Sequence, residues 1–550
     1  MSYFDKIEIL ARHRFAILEK IKAEVPNYQD HFIHLCRSRR STLRNPKKLK
    51  IREFTIFALD KILTSIALST DENMQQNLIT IIMKNYKMDQ DTATDLLEEC
   101  MILYENENIK SLYKEMKKYT EGLLLKYEFK DVLEIFRRHL KPSYYEKKNM
   151  GEVFTPFICI CIILERIPDY VWENPNSTFF DPSAGMGGFL VIIYHRLMNS
   201  LSHVFINRKE RHEHIIKNML FAAELDASNV AMMRRIFGNG LHIFHGNTIT
   251  QFNVRRHFGI NNFTVVVGNP PFEKSQQKET RKNAGDSLWP DFVTKSFSDW
   301  LAPNGYFAML LPPGWRKPSD DKSRTKDLWK VMSRDNTVQW IKMYDAYESK
   351  KVFDGHVSIR FDLVVVMKQK SEYRTIIEGT DKKTYQKSLY KIPYLPNGRL
   401  NGWCKLFSTK GPKCNVFNNS IYDSRKSNII QKIKNTEFKY PVIHSIHKNG
   451  EPVYLYTNKK DIDGGFGVPK VIFNCLGGWN APILDLEGKY GLSQDTFALV
   501  VDTKQDGLAI KKYFTPERLA MWGHDLNWAT SVPRIFWKLF RDIPKNFYNL

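Results

Sequence analysis

Thr264-Val265-Val266-Val267-Gly268-Asn269-Pro270-Pro271-Phe272 is the stretch whose reading decides the fold. A run of β-branched residues followed by Gly and two prolines reads as a buried strand with an abrupt stop. Neither proline has a backbone N–H, and each restricts the residue before it, so this strand end is stiff. The Asn269 carboxamide oxygen and the Pro270 carbonyl can stand side by side as two acceptors, with the Phe272 ring close by. That combination suits a planar exocyclic amine on a ring, such as N6 of adenine. The acceptors take its two protons while the aromatic stacks on the base.

Upstream, Phe179-Phe180-Asp181-Pro182-Ser183-Ala184-Gly185-Met186-Gly187-Gly188-Phe189-Leu190 reads as strand, glycine turn and helix, the opening of a βαβ unit. A phosphate-binding P-loop needs Lys-Ser/Thr after the glycines, where Phe189-Leu190 stands. A dinucleotide fingerprint needs a third Gly at Leu190. A nucleoside without phosphates, such as S-adenosylmethionine (AdoMet), needs the tight turn and no pyrophosphate grip, so it survives this comparison. The next strand, Leu220 to Glu224, ends in a carboxylate able to accept both ribose hydroxyls; a strand-end surface charge is the plainer alternative. Asp226 and Ser228 fit as caps for a helix through Phe237. His242 to His245 leads to Gly246-Asn247, where a side chain can touch the edge of the cofactor's adenine. Further strands at Gly305–Leu311, Val338–Met343 and Phe361–Met367 complete an α/β, doubly wound sheet of about seven strands.

Taken in order, Gly151-Glu152-Val153-Phe154-Thr155-Pro156, the Asp181–Gly188 turn, Glu224 and Asn269-Pro270-Pro271-Phe272 resemble the N6-adenine DNA methyltransferases of the gamma motif order. That group holds the modification subunits of type I restriction systems and many self-contained type II enzymes. The resemblance covers about residues 130–370. It implies an AdoMet-dependent methyltransferase sheet, with Phe154, Thr155 and Pro156 lining the methionine end of AdoMet. Asp181, Ala184, Gly185 and Gly187 would form the cofactor turn, Glu224 would hold the ribose and Asn247 would meet the adenine, where relatives often have Asp. Asn269 and Pro270 would bind the target amine, Phe272 would stack on it, and Phe353 resembles a second aromatic against the flipped base, a core Phe being the alternative. C5-cytosine methylation would want a Pro-Cys pair, and no Pro-Cys dipeptide occurs; N4-cytosine enzymes normally carry Ser-Pro-Pro.

The totals agree with a polyanionic partner. Over 550 residues, Lys and Arg number 82 against 60 Asp and Glu, a net charge of +22; double-stranded DNA ranks ahead of an acidic membrane or a merely solvated lysine surface. Seven cysteines without CxxC spacing argue against a disulfide framework and a structural zinc. Without a leader or an apolar span the expectation is a cytoplasmic protein. Three domains are expected: an N-terminal helical domain over 1–148, the catalytic domain over 149–370, and a mixed α/β domain over 371–550 that by position resembles the target-recognition domain of those methyltransferases. In the first, Leu96, Leu97, Cys100, Met101 and Tyr104 share a helix face beginning near Asp91, and Phe129 to Leu140 repeat the pattern. Eight cations from Arg37 to Arg52 read equally as phosphate contacts or a solvated loop. In the last, cations and aromatics interleave, with Arg399 and Trp403 as candidate DNA contacts and Arg534 near Trp537 as another pairing. Glu273–Ser287 reads as a loop beside the site.

The function expected is therefore methyl transfer from AdoMet to a flipped-out adenine in a restriction-modification setting. The alternatives are methylation of an RNA amine or a protein glutamine through the same motif, or an inactive DNA-binding scaffold. A fused nuclease is disfavoured: Glu115-Met116-Lys117 and Glu146-Lys147-Lys148 lack a preceding buried strand with an Asp to hold its metal. A separate restriction endonuclease remains a possible partner, and no metal site is expected.

Overall fold

Five parallel strands stand side by side in the order β3-β2-β1-β4-β5, and they carry the expected site on their C-terminal ends. They are β1 (Phe179–Asp181), β2 (Leu220–Glu224), β3 (His242–His245), β4 (Phe263–Gly268) and β5 (Leu301–Leu311). This is a computed structural model, which describes residues within 62–124 and then 155–272, 287–317, 323–353, 355, 358–475, 478–528 and 537–550. Phe154, the cations of 37–52, the Phe129–Leu140 pattern, both Glu-x-Lys triplets, residues 273–286 and Arg534 lie outside the described residues. The chain divides into two units, Met1–Met309 and Leu310–Leu550.

In the first unit, α1 (Met74–Tyr86) packs on α2 (Gln90–Tyr104). Leu96, Leu97 and Cys100 are buried as their spacing requires, while Met101 and Tyr104 are half-buried. After α3 (Phe157–Leu164) the sheet begins. Strand β1 is buried along its whole length, with Phe179 and Phe180 followed by the buried Asp181 at its end. Phe180 stacks on Phe263 at 4.4 Å and meets Trp300 edge-on at 5.5 Å, so an aromatic floor lies under the strand ends. Helix α4 (Gly188–Ser200) follows β1, and α5 (Ala227–Phe237) follows β2. Helix α6 (Trp289–Lys295) is short and widens into a π-type turn at Ser296–Trp300 that feeds directly into β5. A similar turn at Ile215–Met219 feeds β2.

The second unit supplies β6 (Thr337–Tyr344) and β7 (Phe361–Met367), antiparallel to each other, so all seven expected strands form. Strand β8 (Thr375–Glu378) runs parallel to β6, and β9 (Thr384–Lys387) pairs antiparallel with β8. The short runs beyond form two four-stranded sheets. One has the order β10-β17-β14-β15, from β10 (Val416–Phe417), β14 (Lys470–Asn474), β15 (Ile483–Asp485) and β17 (Thr496–Val500). The other has the order β11-β13-β12-β16, from β11 (Ile430–Gln431), β12 (Tyr440–Ile446), β13 (Pro452–Thr457) and β16 (Gly491–Leu492). Ile443, Ile446 and Leu492 of the second sheet pack on Ile472 and Ala498 of the first, closing one core between them.

Arg399 and Trp403, expected as candidate DNA contacts, both bond to a carboxylate within this unit. Asp525 is buried and accepts both arms of the Arg399 guanidinium, at 2.8 Å each, and the Trp403 indole N–H, also at 2.8 Å. Trp403 is 5% exposed. A buried carboxylate must be paired, and these two side chains do that. Phe353 is likewise buried, edge-on to Phe361 at 5.5 Å, which favours the core alternative. Among the described residues no helix is long and apolar enough to cross a membrane, and no His, Cys, Asp and Glu cluster could hold a metal.

Candidate active site

The glycine turn is built by backbone bonds that leave little freedom. Ser183 N–H donates to Asp181 Oδ1 at 3.0 Å, Ala184 N–H to the Ala223 carbonyl at 3.0 Å, and Gly187 N–H to the Ala184 carbonyl at 2.8 Å. Gly185 and Gly187 sit at φ of 54° and 88°, where a side chain is strained. A Cβ on Gly187 would also stand 2.8 Å from the Phe237 ring. Glu224 ties the turn to the neighbouring strand. Its Oε2 accepts the Gly185 N–H at 2.8 Å, and its Oε1 accepts the N–H groups of Leu225 and Asp226, each at 2.8 Å.

Two carboxyls therefore share one enclosed place. Burial pushes Asp181 up to about 8 from its ordinary 3.8, with the charge of Glu224 adding to the shift. Burial also raises Glu224, against the three N–H bonds and beside the charge of Asp226. The Ser183 hydroxyl is buried without a hydrogen-bond partner. Asn247 spends its carboxamide oxygen on the N–H groups of Ile249 and Thr250, at 3.0 and 3.2 Å. Its Nδ2 is the polar end left to meet a ligand, a donor where an Asp would present an acceptor. Thr248 donates to the Pro182 carbonyl at 2.9 Å and so fixes this loop against the glycine turn.

One strand over, β1 and β4 pair in parallel, Phe180 beside Val266. This register brings Gly268 against Asp181: a Cβ on Gly268, whose φ is 151°, would stand 2.9 Å from Asp181 Oδ1. The next residue, Asn269, donates its Nδ2 to Thr155 Oγ1 at 3.1 Å. That bond assigns Nδ2 to the threonine and leaves Oδ1 to accept. Pro270 is buried, and Phe272 is partly exposed. The orienting role of Thr155 was not visible in the sequence, since the two residues are 114 apart; the expectation had Thr155 only lining the cofactor. The unpartnered Ser183 hydroxyl was missed as well, because a Ser in a turn ordinarily bonds its own backbone.

Residues 128–310 match the family model described as N-6 DNA Methylase. This segment is an N-6 DNA methylase domain. The turn at 181–188 and Asn269-Pro270-Pro271-Phe272 both fall within it. A curated relative, the "uncharacterized adenine-specific methylase" of Mycoplasma pneumoniae, is 24% identical over 30% of this chain and 56% of its own length. The match thus spans about half of that relative. Solved structures are similar at greater distance. The methyltransferase subunit of a type I restriction-modification system from Streptococcus thermophilus is 12% identical, covering 73% of this chain and 94% of its own, with a TM-score of 0.29. The M protein of the type I restriction enzyme EcoKI is 13% identical, covering 66% and 70%, at 0.30. The Type ISP restriction-modification enzyme LlaGI, solved with a DNA substrate mimic, is 12% identical, covering 97% and 56%, at 0.46.

Proposed function

We propose that this chain transfers the methyl group of AdoMet to N6 of an adenine in double-stranded DNA, as the modification activity of a restriction-modification system. The observation that carries this reading is the contact of Gly268 with Asp181, which sets the amine-binding turn beside the cofactor turn on adjacent strands. In-line transfer needs donor and acceptor within one base's reach, and adjacent strands are only about 4.8 Å apart.

The residues at hand fit the cofactor. Gly185 turns the chain at a positive φ without a side chain, Glu224 Oε2 carries a single N–H bond, and the Ser183 hydroxyl lacks a partner. Thr155, Pro156, Asp181, Ala184 and Asn247 complete the wall, with Phe154 in the adjoining segment. AdoMet, when bound, supplies a methyl group already activated on a sulfonium.

The chain's own residues do the rest. Asn269 Oδ1 and the Pro270 carbonyl accept the two N6 protons, drawing the nitrogen lone pair out of the ring and towards the methyl. Phe272 stacks on the base and offsets part of the cost of extruding it from the duplex. Residues 149–370 act as the catalytic region, and 371–550 serve target recognition. A separate nuclease is the natural partner, and the cytoplasm is the compartment.

The test is to incubate the protein with radiolabelled AdoMet and duplex DNA, RNA or protein extract, then digest and identify the labelled product. Label in N6-methyladenine from DNA is expected. Label only in RNA or in glutamine would reject the reading in favour of another amine, and AdoMet and DNA binding without any label would favour a scaffold.

A further inference from the structure

Residues 424–460 hold eight cations, Arg425, Lys426, Lys432, Lys434, Lys439, Lys448, Lys459 and Lys460, against two carboxylates, Glu437 and Glu451. Strand register gathers several of them. Ile430 and Tyr440 both pair with Thr457, so the start of β11, the end of β13 and the start of β12 lie side by side. Lys439 precedes that line, Lys459 and Lys460 follow it, and all three are exposed. Tyr440 lies between two of them, with the Lys439 ammonium 5.3 Å and the Lys460 ammonium 5.0 Å from its ring centre. Lys432 and Lys434, also exposed, lie on the segment returning from β11 to β12.

Neighbouring charges are already spent, and these are not. Arg425 pairs with Asp423, and Lys426 donates to the Ser420 carbonyl. Asp461, beside Lys460, accepts the Asp463 N–H at 2.9 Å. Among the described residues none of Lys432, Lys434, Lys439, Lys459 and Lys460 has an ion pair. Ammonium groups crowded at one sheet end, with no carboxylate paired to them among the described residues, repel one another unless an anion covers them.

We propose that this end of the β11-β13-β12 sheet is a contact surface for the phosphate backbone of duplex DNA. Three adjacent strands span about 10 Å, and a DNA strand carries one phosphate per ~3.4 Å of helix axis, so about three phosphates face the three lysines at its centre. The inference deepens the reading of 371–550 as the DNA-binding region, but it rests on charge and register rather than on methyl transfer.

The experiment measures binding of a fluorescent duplex of arbitrary sequence to the full chain, without AdoMet, by anisotropy from 50 to 200 mM salt. The triple variant K439Q/K459Q/K460Q is compared with K504Q/K511Q/K512Q, which removes the same charge from exposed positions on another element. The first is expected to lower the slope of log K against log salt by about 3 and to weaken binding at 50 mM salt at least tenfold; the second should leave the slope near the wild-type value. Equal slopes for the wild type and both variants, or equal losses in both variants, would overturn the proposal. So would wild-type binding to vesicles of anionic lipid and not to DNA. Melting temperatures within about two degrees of the wild type establish that the variants are folded. If binding is lost as expected while no methyl label appears in any substrate, this proposal stands and the catalytic one falls.

Discussion

Asn269 gives its amide hydrogen to Thr155, Nδ2 to Oγ1 at 3.1 Å, across 114 residues of chain. A carboxamide can turn over and present either end. With Nδ2 held, Oδ1 is the end left to accept. In the proposed mechanism Thr155 is therefore a positioning residue, and Asn269 is the one that would touch the substrate.

Thr155→Val is therefore expected to lower kcat by about five- to tenfold, the worth of one ordinary hydrogen bond, with the dissociation constant of AdoMet nearly unchanged. Thr155→Ser should restore most of the rate. Asn269→Ala should cost on the order of a hundredfold or more in kcat. Single-turnover kinetics and AdoMet titration check both; a large loss of AdoMet affinity in Asn269→Ala would place that residue in the cofactor site instead.

Gly268→Ala should destabilise the protein and slow it together. Its φ of 151° disfavours a side chain, and the new methyl would stand 2.9 Å from Asp181 Oδ1. A loss of about 1–3 kcal/mol in urea unfolding is expected. An unchanged midpoint would show that the two strand ends can part freely.

The raised carboxyl of Asp181 gives a pH dependence with a definite sign. The unfolded chain releases this proton near pH 4 and the folded chain near 8. Between those values the folded state holds the extra proton, so stability falls as pH rises through the window, by at most about 1.4 kcal/mol per pH unit, and levels off above it. Asp181→Asn should flatten that decline when melting is followed at pH 5, 6.5 and 8.5. An identical decline in the variant would assign it to another group.

Asp525→Ala should unfold the second unit more easily, because it strands the Arg399 guanidinium and the Trp403 N–H at once. Removing one partner of a buried pair costs about 3 kcal/mol at the low end of the usual range, the appropriate end here because Arg399 is partly exposed. Arg399→Ala should likewise act through stability; a selective loss of DNA affinity at unchanged melting temperature would restore it as a DNA contact.

The sheet was legible because its signals are local. Val265–Val267 is buried on both faces, and the Gly185 and Gly187 turn and the Pro270–Pro271 stop announce themselves within a few residues. What escaped is held together across long separations: the Asn269–Thr155 bond, and the 126 residues between Arg399 and Asp525. An Arg beside a Trp reads the same whether it faces DNA or an unseen carboxylate. The π-type turns were hidden too, since Ser296–Trp300 keeps an apolar spacing close to that of a plain helix.

Thr155, Asp181, Glu224 and Asn269 all belong to the first unit, Met1–Met309, while the lysine-rich sheet end belongs to the second. On the proposed reading, an engineer seeking to readdress such a protein would exchange residues 371–550 and leave 149–370 alone. The spacing that governs the chemistry is written into two hydrogen-bonded neighbours of one sheet, and a new address would inherit it unchanged.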